Sequence, residues 1–442
     1  MANLDGSTSS WLKLTTYNIG LDLLKEAAVP GAFHNSLQRN DPPKCHPHTR
    51  EAILDKIMDW VRKKIDTDIF IMWLYGAAGA GKTAIAQTIA ELCEEHKLLL
   101  ASFFFFRADS LRSNSKRLIA TIAYQVAVVI PGVRALMEAA IDNDPHLLSR
   151  SLITQFTALI VDPLEHLFET SVGEHTNLPN LIIIDGLDEC MDGTRIQILD
   201  MIFAIDQRSN FPFNFLIASR PELEISAALG DGKIREGLTR LLLDADITSR
   251  HDIRRFLQDK FHEIRLTHPI QSDFSSSWPS SEDIETLVDK SSGQFIYAST
   301  VVKFVSSPRH RPDHRLEVVL DLRPKGKDLP FAELDALYRY VLSSIEDTTT
   351  AVQIIATVLT TWGRRNVYSL AETLYLSPSD IKLHLIDLGS LVEYENDFPK
   401  ILHASLGDFL FDESRSQELY IDPRSIHTKI ALAILHEYTI GK

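Results

Sequence analysis

Cysteine is scarce in this 442-residue chain: Cys45, Cys93 and Cys190 stand far apart and in no metal-ligand spacing. An odd, scattered set argues against a disulfide framework and for a reducing compartment. Basic charge is also short. Lys and Arg number 45 against 60 Asp and Glu, a formal charge of −15. Nucleic acid and anionic membrane surfaces both demand a basic footprint, so neither is expected as the main partner. Long apolar runs are missing too. The longest uncharged one, Leu118–Ile130, stops at Pro131, short of the ~20 residues that cross a bilayer. The polar start Met1–Ser10 lacks the charged opening and apolar stretch of a signal peptide. These absences predict a cytoplasmic protein with no membrane span, and no internal repeat suggests a solenoid.

What remains is ordinary globular material, 45% apolar and 24% charged, with length for about three domains. Residues 1–44 read as a leader with a short helix at Ile19–Ala28. The spacing of Ile53, Ile57, Val61 and Ile65 predicts an amphipathic helix over Thr49–Ile65. Residues 69–75 are a continuous apolar run, the pattern of a strand buried on both faces. Further strands are expected at Leu98–Phe106, Leu181–Ile184, Phe213–Ala218 and Leu238–Leu243. Helices are expected between them at Lys82–His96, Lys116–Ile130, Leu152–Phe168 and Thr194–Asp206. Alternating strands and helices predict an α/β fold with a parallel sheet flanked by helices.

After Asp244 the pattern turns helical. Helices are expected at Thr248–Phe261, at Glu282–Lys290 behind a Ser280/Asp283 capping box, at Leu334–Glu346 and from Ser377 to about Leu388. Ser306–Lys327 reads as a linker. Leu391–Glu395 and Ile401–His403 flank Asn396-Asp397, a hairpin pattern. The expected organisation is a leader (1–44), a nucleotide-binding core (45–245), a helical region with linker (246–328) and a winged-helix-like region (329–442).

Three segments carry chemistry. Gly76-Ala77-Ala78-Gly79-Ala80-Gly81-Lys82-Thr83 matches G-x4-G-K-[ST], lies between a predicted strand and helix, and is followed by Ala84. Its glycines let backbone N–H groups approach phosphate oxygens, and the helix start adds partial positive charge. Lys82 is placed for the β- and γ-phosphates and the Thr83 hydroxyl for Mg²⁺. Second, the strand Leu181–Ile184 ends in Asp185-Gly186-Leu187-Asp188-Glu189. Asp185 is the candidate Mg²⁺ carboxylate. Asp188 or Glu189 would orient or deprotonate the attacking water, with Glu189 favoured. Third, Phe213–Ala218 delivers Ser219-Arg220-Pro221 to the ligand end of a parallel sheet, where Arg220 would sense a γ-phosphate. The plainer reading of Arg220 is a surface residue before a proline turn. His46-Pro47-His48 and His310–His314 are most simply loop histidines.

These three elements, in this order, resemble the NACHT ATPases of the STAND class, most of all the fungal NLR-like branch whose P-loop module is called nephrocystin-like. Supporting strings include Cys45-His46-Pro47-His48-Thr49-Arg50-Glu51, Ala101–Arg107, Ala218–Glu222, Phe331–Tyr338 and His403–Leu410. The likeness spans about residues 20–440. The Gly-Leu-Asp-Glu form is fairly specific to NACHT proteins. The resemblance implies that the Arg220 strand lies between the strands of the phosphate loop and Asp185. It also implies a helical and a winged-helix domain over the nucleotide, Arg50 near the adenine or ribose, and His403 near the ADP phosphates. Gly293-Gln294-Phe295 departs from the Gly-x-Pro of many relatives. No full signalling domain precedes the core and no repeat array follows it.

The resulting expectation is an ATP/ADP-operated signalling switch with slow Mg²⁺-dependent hydrolysis. It would close with ADP and self-associate with ATP, in an innate-immunity-like or incompatibility response with protein partners the sequence does not name. The rivals are a steadily active P-loop ATPase or small-molecule kinase, and a scaffold that holds ADP. The candidate recognition helix Ser379–Leu388 has only Lys382 as a fixed positive charge and carries two acids, so DNA contact is not expected there.

Overall fold

The apolar runs assemble into a five-stranded sheet: β1 (Ile71–Tyr75), β2 (Leu99–Phe104), β3 (Leu181–Asp185), β4 (Asn214–Ser219) and β5 (Leu238–Leu242), in the spatial order β2-β3-β4-β1-β5. Every neighbouring pair is parallel. The computed structural model describes residues 19–39, 42–170, 178–206, 213–229, 237–243, 247–275, 277–322, 331–360, 366–395 and 397–440. The first 18 residues of the expected leader therefore lie outside the described residues.

Successive side chains of a strand face opposite layers, and each layer has its own apolar core. Met72, Leu74 and Phe104 pack toward helices Glu51–Val61 and Lys82–Glu95. Ile71, Trp73, Phe103 and Phe105 pack toward the other layer, which holds helices Ile19–Ala27, Leu118–Val129, Arg134–Asn143 and Arg195–Asp206. The four-phenylalanine run thus serves both cores. Leu24, in the segment read as leader, is fully buried in this second layer.

A third apolar cluster runs from Ile253 to Ile426. It gathers helices Ile247–Thr267, Ser281–Ser291, Phe295–Val305, Pro312–Asp321, Ala332–Ser343, Thr348–Thr360, Val367–Leu374 and Pro378–Asp387. The antiparallel hairpin β6 (Val392–Glu395) and β7 (Phe398–Ile401) and helix Ala404–Leu410 complete it. The capping box of Ser280 and Asp283 forms as read, and Ser377 caps its helix by accepting from the Asp380 N–H at 3.1 Å.

Three sequence readings need correction. The second hairpin strand is Phe398–Ile401 rather than Ile401–His403. The predicted helix Thr49–Ile65 is shorter, Glu51–Val61, because Arg50 and Lys63 take positive φ at its two ends. The linker reading of Ser306–Lys327 is corrected in its middle: residues 323–327 lie outside the described residues, while Pro312–Asp321 is a helix, with Pro312 in its first turn and Leu316 and Val319 buried. Its C-terminal end is held by Lys290, whose buried ammonium donates to the carbonyls of Val319 (3.2 Å) and Leu322 (2.6 Å) and meets Glu333 at 3.3 Å. Helix C-termini leave carbonyls without intrahelical partners, and here a lysine supplies the donor. Lys290→Met should therefore destabilise the fold by about 2–3 kcal/mol, since buried acceptors lose a charged donor; denaturant unfolding measures it.

Candidate functional site

Parallel register brings the three motif segments to one edge. Tyr75 pairs with Ser219 and Asp185 with Ala218. The phosphate loop, the acidic turn and Arg220 therefore leave β1, β3 and β4 side by side, at the carboxyl ends where such sheets bind ligands. Lys82 opens helix Lys82–Glu95, and its ammonium donates to the carbonyls of Gly76 and Ala77 at 2.8 Å each. Burial holds its pKa below the usual lysine value, against the pull of Asp188.

Asp185 is 3% exposed. Burial pushes its pKa up to about 7, opposed by a hydrogen bond from Thr83 and by the charge of Arg39. One carboxylate oxygen, Oδ1, is buried without a hydrogen-bond partner. The next residue, Gly186, takes φ +71° and donates its N–H to Ala218 at 2.9 Å. An added Cβ there would meet nothing closer than 3.4 Å. Glycine is thus favoured by the left-handed turn rather than by crowding from neighbouring side chains.

The two further carboxylates are held differently. Asp188 accepts the Arg220 N–H at 3.0 Å and pairs with its Nε at 3.3 Å. Glu189 accepts only a backbone N–H at Oε2, from Arg107 at 3.0 Å. Its pKa is raised, first by burial and then by Asp188. Arg220 extends its Nη1 to Asp408 at 2.8 Å, and Arg107 reaches the other oxygen of Asp408 at 3.4 Å.

Lys82, Asp185, Asp188, Glu189 and Arg220 line one cavity of about 420 Å³, together with Ala78, Gly79, Gly81, Thr83 and Ala84 from the loop and helix start. That volume is within the range of small-molecule sites. Its far walls come from the C-terminal half: Phe256, Phe295, Ile296, Ser405 and His403. The His403 side chain is half-buried, its enclosed Nε2 has no hydrogen-bond partner, and desolvation lowers its pKa to about 4, so it is neutral at pH 7. Arg50 also lines the cavity. Its guanidinium donates to Ser249 (2.8 Å) and to the Ala80 carbonyl (3.2 Å) and lies over the Phe295 ring. Phe295 starts its helix where many relatives of the resembled family have proline, and it packs on Phe256. Of the candidate residues named from the sequence, all but Gly76, Ala77 and Ala80 line this cavity.

Arg39 was not singled out. It stacks on Phe104 (3.6 Å to the ring centre) and donates to Gln87 Oε1 at 2.5 Å, within the electrostatic reach of Asp185. Burial lowers its pKa to about 10. Arg107 and Asp408 were likewise unassigned, because only the fold brings positions 107, 220 and 408 together.

The strand order, the loop after β1 and the acidic end of β3 decide the fold class. By fold, the chain is a P-loop NTPase. The family description "Nephrocystin 3, N-terminal" matches residues 48–220 of this P-loop NTPase. A search of curated proteins returned no match. Among solved structures, a Walker-type ATPase of Pyrococcus abyssi is 14% identical over 82% of this chain and 97% of its own, with TM-score 0.36. Cdc6p from Pyrobaculum aerophilum is 13% identical over 86% and 96%, with TM-score 0.35. A Drosophila ORC structure bound to DNA is 13% identical over 97% and 96%, with TM-score 0.33. Likeness at that level is coarse; the sheet order stands on its own geometry. Among the described residues no single helix is long and apolar enough to cross a membrane.

The halves also meet closely at the phosphate loop. Gly79 has φ +76°, and a Cβ there would stand 2.2 Å from Cγ2 of Ile296. Gly79→Ala should cost about 2–4 kcal/mol, part backbone strain and part clash. Adding Ile296→Ala should remove the clash component only. Thermal unfolding of the two single variants and the double then gives a non-additive cycle; strict additivity would contradict the contact.

Proposed function

We propose that the chain is an ATP/ADP-operated switch of the NACHT/STAND kind, with a slow hydrolytic reset. The observation that carries this reading is the composition of the cavity walls. The phosphate-binding side is built on the sheet, whereas His403 and the partner of Arg220 come from the C-terminal half. A nucleotide in that space touches both halves, so its identity feeds directly into how they are held together.

The roles follow from the geometry. The loop amides and Lys82 would grip the β- and γ-phosphates, the ammonium moving from loop carbonyls to phosphate oxygens. Thr83 and Asp185 fit a hard cation: a hydroxyl adjoins a buried carboxylate whose Oδ1 has no partner. Mg²⁺ held there would neutralise phosphate charge. Glu189 suits the role of general base, since Oε1 is left for a water and its raised pKa favours accepting a proton. Asp188 is instead committed to Arg220. His403, neutral and unpartnered at Nε2, can donate to a phosphate oxygen of ADP. Arg50 braces the phosphate loop against Ser249, where the adenine or ribose would lie. The helix–helix–hairpin run Val367–Leu374, Pro378–Asp387 and β6–β7 matches a winged helix in order, and supports its role as the lid.

Energetics set the scale. Moving an equilibrium from about 1:99 to 99:1 requires roughly 10⁴-fold differential affinity, near 5.5 kcal/mol. One charge-assisted hydrogen bond supplies roughly 1.5–3 kcal/mol, so Arg220 acts together with the domain interface.

Lys82→Ala should abolish binding of Mg-ADP and Mg-ATP in calorimetric titration; normal affinity would refute the site. Glu189→Gln should retain Mg-ATP and lose turnover, and unchanged turnover would remove Glu189 as base. Particle size compared with ADP and with a non-hydrolysable ATP analogue tests the switch itself. A larger assembly with the analogue is expected. Identical size, or steady turnover above roughly 1 s⁻¹, would favour a scaffold or a constitutive ATPase.

A further inference from the structure

Arg220 is held from two sides. Its Nε and its backbone N–H go to Asp188, which follows β3 and belongs to the sheet core. Its Nη1 goes to Asp408 in helix Ala404–Leu410, five residues beyond His403 and part of the C-terminal half. The Asp188 contact stays within the core, whereas the Asp408 contact crosses between the halves. Arg107, at the end of the segment following β2, holds the second Asp408 oxygen. One carboxylate from the C-terminal half is therefore shared by two arginines of the core. The Arg220 and Asp408 side chains are only 22% and 19% exposed, so water screens this pair weakly.

We propose that Asp408 is a latch that competes with the γ-phosphate of a nucleoside triphosphate for Arg220. This rests on the nucleotide reading above and names the contact through which the third phosphate acts. Arg220 lines the cavity with Lys82, Asp185 and Glu189, so a phosphate beyond the β-position lies within the reach of its guanidinium. A guanidinium fits phosphate oxygens in the same forked geometry that it uses for a carboxylate. When Arg220 turns to that phosphate, Asp408 loses its closer partner. It is then a carboxylate facing new negative charge, with Arg107 as its remaining cation. A diphosphate does not extend to this position and leaves the latch in place. Because coupling is reciprocal, the factor by which the latch weakens triphosphate binding is the factor by which triphosphate weakens the latch.

The near-isosteric Asp408→Asn removes the charge and keeps the shape. In the full chain, affinity for a Mg-bound non-hydrolysable ATP analogue should rise roughly tenfold or more, the size of one charged hydrogen bond. Mg-ADP affinity should stay equal or fall. Arg107→Gln, which loosens the latch from its other anchor, should shift the ATP-over-ADP ratio in the same direction by a smaller factor. Equal shifts for both nucleotides, or no shift in either variant while the unaltered chain binds both, would overturn the latch and leave the nucleotide site standing. Failure of the unaltered chain to bind either nucleotide would overturn the nucleotide reading, and the latch with it.

Discussion

Everything in the site depends on the pairing of β4 between β3 and β1. Parallel ladders fix register residue by residue, and a slip of one position turns every side chain to the opposite layer. Here the register sets Asp185 beside Ala218 and Tyr75 beside Ser219. The same ladder is locked by Trp73, whose indole donates to the Ser219 hydroxyl at 2.9 Å inside the core. Ile182, Ile183 and Ile184 are fully buried, as are Phe215, Leu216 and Ile217. Burial on both faces leaves such strands no alternative register that keeps the apolar surface dry. The ends of the three strands are thus delivered by packing, and the chemistry at those ends inherits the rigidity of the sheet.

Much of this was legible in the sequence for that reason. A strand buried on both faces appears as an unbroken apolar run, and a phosphate loop has a fixed spacing, so β1, β3, β4 and residues 76–83 could be read directly. Two of the helices that escaped notice share a property. Phe295–Val305 and Thr348–Thr360 are apolar around most of their circumference and rich in β-branched residues, so no 3.6-residue alternation marks them. Helix Pro312–Asp321 was hidden by its polar start, and only the burial of Leu316 and Val319 shows that it packs. The site residues that escaped notice are those whose role depends on long-range contact. Arg39 sits in a segment with no motif, Arg107 follows a phenylalanine run, and Asp408 is one acid in a helix. Nothing local distinguishes them from solvent-facing charges.

The charges around the cavity bear on how the proposed site would tell a diphosphate from a triphosphate. The cavity lining carries the cations Arg39, Lys44, Arg50, Lys82, Arg112, Arg220 and Lys400 and the carboxylates Asp109, Asp185, Asp188 and Glu189. Lys44, Arg112 and Lys400 are paired with Glu91, Asp109 and Glu393. Asp408 adds a further carboxylate on Arg220 and Arg107. Mg-ADP adds a net charge of about −1 and Mg-ATP about −2, in a space where reduced screening makes each uncompensated charge expensive. Asp185, Asp188 and Glu189 are fixed by the core: Asp185 ends β3, and Asp188 and Glu189 form the turn that follows it. Asp408, the second partner of Arg220, is carried by the C-terminal half. It can leave without disturbing the sheet, and its departure offsets the additional charge of the third phosphate. On this account the number of phosphates is converted into a domain position by charge balance, and the sheet remains the fixed frame against which the rest moves.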